Sequence, residues 1–120
     1  MVVNDVVSRI RQRRGWYYAH EWERFADHLG VTVWRCDLPR VVSAFLHDDC
    51  IYLSRSIESR LITPLIWHEL AHHVLHAGGP RWWLTRPQGH ITVAKFERQA
   101  DEFAATFPIW DEQAALFWPN

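Results

Sequence analysis

No apolar run in the chain approaches the roughly 20 residues that a membrane-spanning helix requires. The first residues, MVVNDVVSRIRQRR, place apolar residues ahead of basic ones and include Asp5, the reverse of a signal peptide. A cytoplasmic protein without membrane association is expected. Cysteine is scarce. Cys36 and Cys50 lack the close pairing of a zinc knuckle and are expected to be reduced thiols. Net charge is also small, −1 over 120 residues, which excludes a protein built mainly to bind nucleic acid. The local run RIRQRR, Arg9 to Arg14, reads as a solvated helix face. Repeats, low-complexity segments and long linkers are missing, so residues 1–120 are expected to form one domain with a modest core.

Hydrophobic periodicity supplies the elements. Val2, Val3, Val6, Val7 and Ile10 recur at helical spacing, and so do Trp22, Phe25, Ala26 and Leu29, with Gly30 as the stop. VTVWRC reads as a strand. VVSAFL and CIYLS flank the polar turn HDD and read as a hairpin. Thr63 and Pro64 predict an N-cap and first helical residue, with Gly78 and Gly79 marking the far end. GGPRWWLTRPQGH predicts a loop, a last long helix should run from about Thr92 to Thr106, and DEQAALFW closes the chain as a turn or short helix. The fold class is α+β, a three-stranded sheet packed on helices. The eight tryptophans are expected to fill the core or, where exposed, to dock a partner.

Four of the eight histidines fall in IWHELAHHVLH, residues 66–76. On an α-helix, positions i and i+4 share a face about 6 Å apart along the axis, so His68 and His72 can both reach one ion at roughly 2.1 Å. Glu69 lies about 100° round from His68, poorly placed as a ligand but suited to act as a general base. The helix is apolar nearly all round and therefore buried. Burying two histidines and a glutamate without partners would cost several kcal/mol, a cost that a metal removes. His76, eight residues from His68, lies about 12 Å along the axis and cannot join both histidines on one ion. His76 and His73 are expected to support the site from outside the ligand set or to lie at the surface.

Two histidines leave a zinc site incomplete, since a catalytic one takes three protein ligands. In AKFERQADEFAA, Glu97, Asp101 and Ala104 recur on one face at i, i+4 and i+7, beside a buried stripe of Phe96, Ala100, Phe103, Ala104 and Phe107. Glu97 is the candidate third ligand. Asp101, one turn on, could accept the free N–H of His68 or His72, as the partners of metal-bound histidines do.

HELAHHVLH followed by FERQADEFAA resembles the ImmA/IrrE-type metallopeptidases, whose pattern is HExxH and then E-x-x-A-D/N-x-F-A. The likeness runs from about Gly30 to Ala105 and includes DDCIYLS, similar to the strand before the active helix. It implies a compact zincin-like single domain, one Zn2+ per chain held by His68, His72 and Glu97, and Glu69 as catalytic base. It also implies a narrow range of protein substrates, such as a helix-turn-helix repressor of a phage or mobile element. The chain departs from the pattern in carrying Ala71 inside HExxH and FAATFPIWDEQ after the second helix.

Such chemistry also needs an oxyanion stabiliser. His90, Arg81 and Tyr52 are the candidates by position, Trp82 and Trp83 are candidate substrate anchors, and Cys50 to Ser54 is expected to be an edge strand that could take an added substrate strand. The rival reading is a zinc-containing, protein-binding anti-repressor module. An intact Glu69 favours the enzyme, because a purely structural site has no use for a base there.

Overall fold

Residues 2–76 and 89–110 are described in a computed structural model, the side chains of 89–92 excepted. Their order is α1 (Val3–Arg14), a 3-10 turn (Ala19–Glu21), α2 (Trp22–Leu29), β1 (Thr32–Cys36), β2 (Ala44–His47), β3 (Cys50–Ser54), α3 (Ser59–Leu75) and α4 (Gly89–Thr106). The architecture is α+β. Among the described residues no helix is long and apolar enough to cross a membrane.

α1 buries Val3 and Val7, one turn apart, while Arg9, Gln12, Arg13 and Arg14 stay exposed, a largely solvated face. Arg11 is the exception within that run. Its Nη2 donates to Thr106 O at 2.6 Å and Phe107 O at 3.1 Å, satisfying carbonyls at the end of α4. Its guanidinium also lies 4.1 Å over the Trp16 ring, and burial lowers its pKa. α2 buries Phe25 and Ala26 and stops at Gly30, whose φ of 71° suits glycine and lets its N–H reach Asp27 O.

The sheet order is β1-β3-β2, with β1 parallel and β2 antiparallel to β3. The hairpin expected from HDD forms with a shorter turn. His47 pairs with Cys50, leaving Asp48 and Asp49, and Asp48 takes a φ of 53° that aspartate tolerates. Val41 and Val42 lie outside the strand, in a turn closed by Val42 N–H on Pro39 O. Cys50 to Ser54 is not an edge. β3 is bonded on both sides, and the edges are β1 and β2. Strand order depends on pairing between distant segments, which local alternation does not encode.

α3 begins at Ser59, not at Pro64, and Thr63 does not cap it. Glu58 holds the N-cap position and accepts from Arg60 Nε at 2.8 Å. Pro64 then removes only the bond that would reach Arg60 O. Arg60 and Pro64 are both exposed, where water can satisfy a carbonyl. α4 likewise starts earlier than Thr92, so Gly89 and His90 belong to the helix and not to a loop. Residues 77–88 and 111–118, with the loop and closing turn expected there, lie outside the described residues.

The core joins α3 and α4 to the sheet and to α2. Trp67 is fully buried, stacks on Phe25 at 5.4 Å, and donates its Nε1–H to Ala19 O at 2.7 Å. Phe103 and Phe107 of the α4 region and Ile51 and Leu53 of β3 complete the centre. Of the other described tryptophans, Trp22 and Trp110 pack against this core, while Trp16 and Trp34 are exposed. The cysteines are free, and Cys50 Sγ sits 3.2 Å from Thr32 Oγ1.

Candidate metal centre

α3 and α4 lie side by side, and the polar groups of each meet at one place. His68 Nε2 is 2.8 Å from Glu97 Oε2, and His72 Nε2 is 2.9 Å from Glu97 Oε1. The two Nε2 atoms are 3.2 Å apart. The i, i+4 spacing sets the histidines on one stripe of α3. Ala100, Phe103 and Ala104 bury the flank of α4 and thereby bring Glu97 against that stripe. Access graduates across the site: the His72 side chain is 7% exposed, that of His68 21% and that of Glu97 39%.

Protonation decides what these three groups can hold. Asp101 Oδ1 lies 2.9 Å from His68 Nδ1. A carboxylate accepts, so Nδ1 is the donor, and the neutral ring then keeps its lone pair on Nε2. That lone pair faces Glu97 and the Nε2 of His72. Two protonated rings at this separation would repel each other, and two lone pairs beside a carboxylate would repel as well. One cation among them resolves both conflicts. The three donors form a group that can hold a metal ion. A tetrahedral ion with bonds of roughly 2.0–2.1 Å keeps its ligands roughly 3.3 Å apart. The observed separations, 2.8, 2.9 and 3.2 Å, need open by about half an ångström at most. The donor set fits.

Glu69 follows His68 on α3 and is only 4% exposed. His76 is the C-cap of α3. Its Nδ1 lies 3.0 Å from His72 Nδ1 and its Nε2 2.8 Å from Gln99 Oε1, so it contacts a candidate ligand without joining the donor set. His73 points elsewhere: its Nε2 meets Asp49 Oδ1 of the β2–β3 turn at 3.1 Å, and its buried Nδ1 has no hydrogen-bond partner among the described residues.

Tyr52 does not face the centre. Ile51 and Leu53 of β3 turn into the core, so alternation sends Tyr52 to the opposite sheet face. There it stacks on Phe45 at 4.9 Å, and a hydrogen bond with Cys50 raises its pKa. Arg81, Trp82 and Trp83 lie outside the described residues, as does the His90 side chain. Gln99 was not anticipated from sequence. The signal available for it was its i, i+3 pairing with Phe96, which stacks on His76 at 4.0 Å.

No family model matches the chain, and neither does any curated protein or solved structure.

Proposed function

We propose that this chain is a zinc-dependent endopeptidase of the ImmA/IrrE type, acting in the cytoplasm on a folded protein partner such as a helix-turn-helix repressor. The observation that carries the reading is the convergence of His68 Nε2, His72 Nε2 and the Glu97 carboxylate, with a buried Glu69 next along α3. Three protein ligands of the His, His, Glu kind leave a fourth position open, the mark of a catalytic rather than a structural zinc site.

Zinc bound there would supply Lewis acidity, lowering the pKa of water and polarising the scissile carbonyl. Glu69 takes the proton from the attacking water and delivers it to the leaving amine. Its low exposure keeps bulk water from competing for that proton. Asp101 holds His68 with Nε2 free to bind. The exposed side of Glu97 leaves an approach for an extended chain. Because β3 is central, an added substrate strand would have to pair with an edge, and β2, the edge that packs on α3, is the one suited to it.

The test is metal analysis of the purified chain, followed by incubation with a helix-turn-helix repressor encoded beside it. One zinc per chain and repressor cleavage that stops with a chelator are expected. A zinc-loaded chain that binds the repressor and leaves it intact would instead identify an anti-repressor module.

A further inference from the structure

The tautomer of His68 has an evident cause in Asp101, whereas for His72, the more buried candidate ligand, the group that meets Nδ1 among the described residues is an imidazole, that of His76, at 3.0 Å. That contact by itself settles nothing, because His76 can either donate or accept. We propose that His72, His76 and Gln99 form a one-way hydrogen-bond relay that fixes the tautomer of His72 for metal binding, with Gln99 as its terminus. The proposal rests on the metal reading above and adds two positioning residues to it.

Proton direction follows from the far end. Gln99 presents its carbonyl Oε1 to His76 Nε2 at 2.8 Å. A carbonyl oxygen accepts only, so His76 carries its proton on Nε2. The neutral ring then has a lone pair on Nδ1, 3.0 Å from His72 Nδ1. His72 must therefore donate from Nδ1, which leaves the lone pair on Nε2, the atom aimed at Glu97 and His68. Reversing Gln99, so that its amide donates, would reverse each step and place a proton on the ligand atom of His72.

The relay is held in place. Phe96 stacks on the His76 ring at 4.0 Å with 22° between planes, and Phe96 and Gln99 lie one turn apart on α4. The backbone N–H of His76 also donates to His72 O at 2.8 Å, so the ring springs from an anchored C-cap. α4 thus provides Glu97 to bind the ion, Asp101 to orient His68, and Gln99 to orient His72 through His76.

The experiment measures zinc affinity of the full chain by competition with a chromophoric chelator, with circular dichroism as the check on folding. In zinc enzymes, loss of such a partner weakens binding by roughly 10–100-fold. Gln99→Leu and His76→Ala should fall in that range while still taking up one zinc. Gln99→Glu, which keeps an acceptor, should stay within about threefold of the parent, less than the loss expected on removing the partner. Unchanged affinity in Gln99→Leu would overturn the relay, and so would a Gln99→Glu variant as weak as Gln99→Leu. Long-range proton–nitrogen spectra of the parent give a readout free of mutation: His72 protonated at Nδ1 and His76 at Nε2 are expected, and protonation of His76 at Nδ1 alone overturns the proposal. A parent chain that takes up no zinc would instead defeat the metal reading itself.

Discussion

Asp101 Oδ1 meets His68 Nδ1 at 2.9 Å, one helical turn along α4 from Glu97, which meets the other nitrogen of the same ring at 2.8 Å. A single imidazole is thus bracketed by two carboxylates of one helix. The two acids have different tasks: one fixes a proton, and the other offers a lone pair beside the lone pair so exposed. Asp101→Leu should therefore bind one zinc about 10-fold more weakly than the parent, because an outer partner is lost and no ligand is. Isothermal titration or chelator competition measures this. Loss of the site altogether would make Asp101 a ligand itself.

His72→Ala removes a donor that is only 6% exposed. With two ligands left, zinc should be largely absent from the purified variant, and elemental analysis reads this directly. Full occupancy would mean that other groups hold the ion.

Glu69→Gln preserves shape and removes the proton acceptor. The variant should fold, keep one zinc and lose peptidase activity by at least ~100-fold, the scale of a general base. Cleavage at the parent rate would assign Glu69 a structural role within α3.

Much of this centre is legible in sequence because its spacing is local. HExxH sets two nitrogens on one face of a helix, and Glu97 and Asp101 recur at the same interval on the next long helix. The features that escaped are those that need the third dimension. The helix start at Ser59 was hidden by Thr63 and Pro64, a valid N-terminal signal that the chain overrides by tolerating proline in an exposed stretch. The central place of β3 depends on its pairing with Thr32–Cys36, across the whole hairpin. Axial distance excludes His76 as a ligand, yet says nothing of its contact with the outer nitrogen of His72. Gln99 is an unremarkable polar residue until α4 is laid against that histidine.

Arg11 offers a prediction away from the candidate metal centre. Its two bonds to Thr106 O and Phe107 O tie α1 to the end of α4, and the ring of Trp16 covers its guanidinium. Hydrogen bonds from a charged donor contribute about 1.5–3 kcal/mol when buried, and partial exposure here reduces that. Arg11→Met should cost roughly 1–2 kcal/mol in urea unfolding, since it keeps the apolar stem and leaves two carbonyls without their donor. Zinc affinity should be unchanged, because Glu97 sits further back along α4 and His68 and His72 lie on α3. A metal-loss phenotype would show that the end of α4 controls the site.

Selectivity is the last test. The proposed enzyme has its base and its ligands on two packed helices, and among the described residues its sheet is three strands wide, with β1 and β2 at its edges. Among the described residues, a cavity of about 330 Å³ is lined by α2 and β1 residues between Trp22 and Trp34, and one of about 230 Å³ by Val6, Arg9, Ile10, Arg13 and Val74, and no candidate metal donor lines either of them. Neither is placed to grip a side chain at the scissile bond. Discrimination would then come from docking a whole protein, with the main chain of the substrate paired to an edge strand and its remote contacts holding the bond in register. A helix-turn-helix repressor should be cut at one or a few sites, while casein and short generic peptides are cut at least ~10-fold more slowly at equal concentration, the discrimination that about 1.4 kcal/mol of docking energy would give. Proline at Leu46 of β2 should slow repressor cleavage if its N–H pairs with substrate, and leave zinc binding intact. Rapid, indiscriminate cleavage of casein would overturn docking as the source of selectivity while leaving the roles of Glu69 and the three ligands untouched.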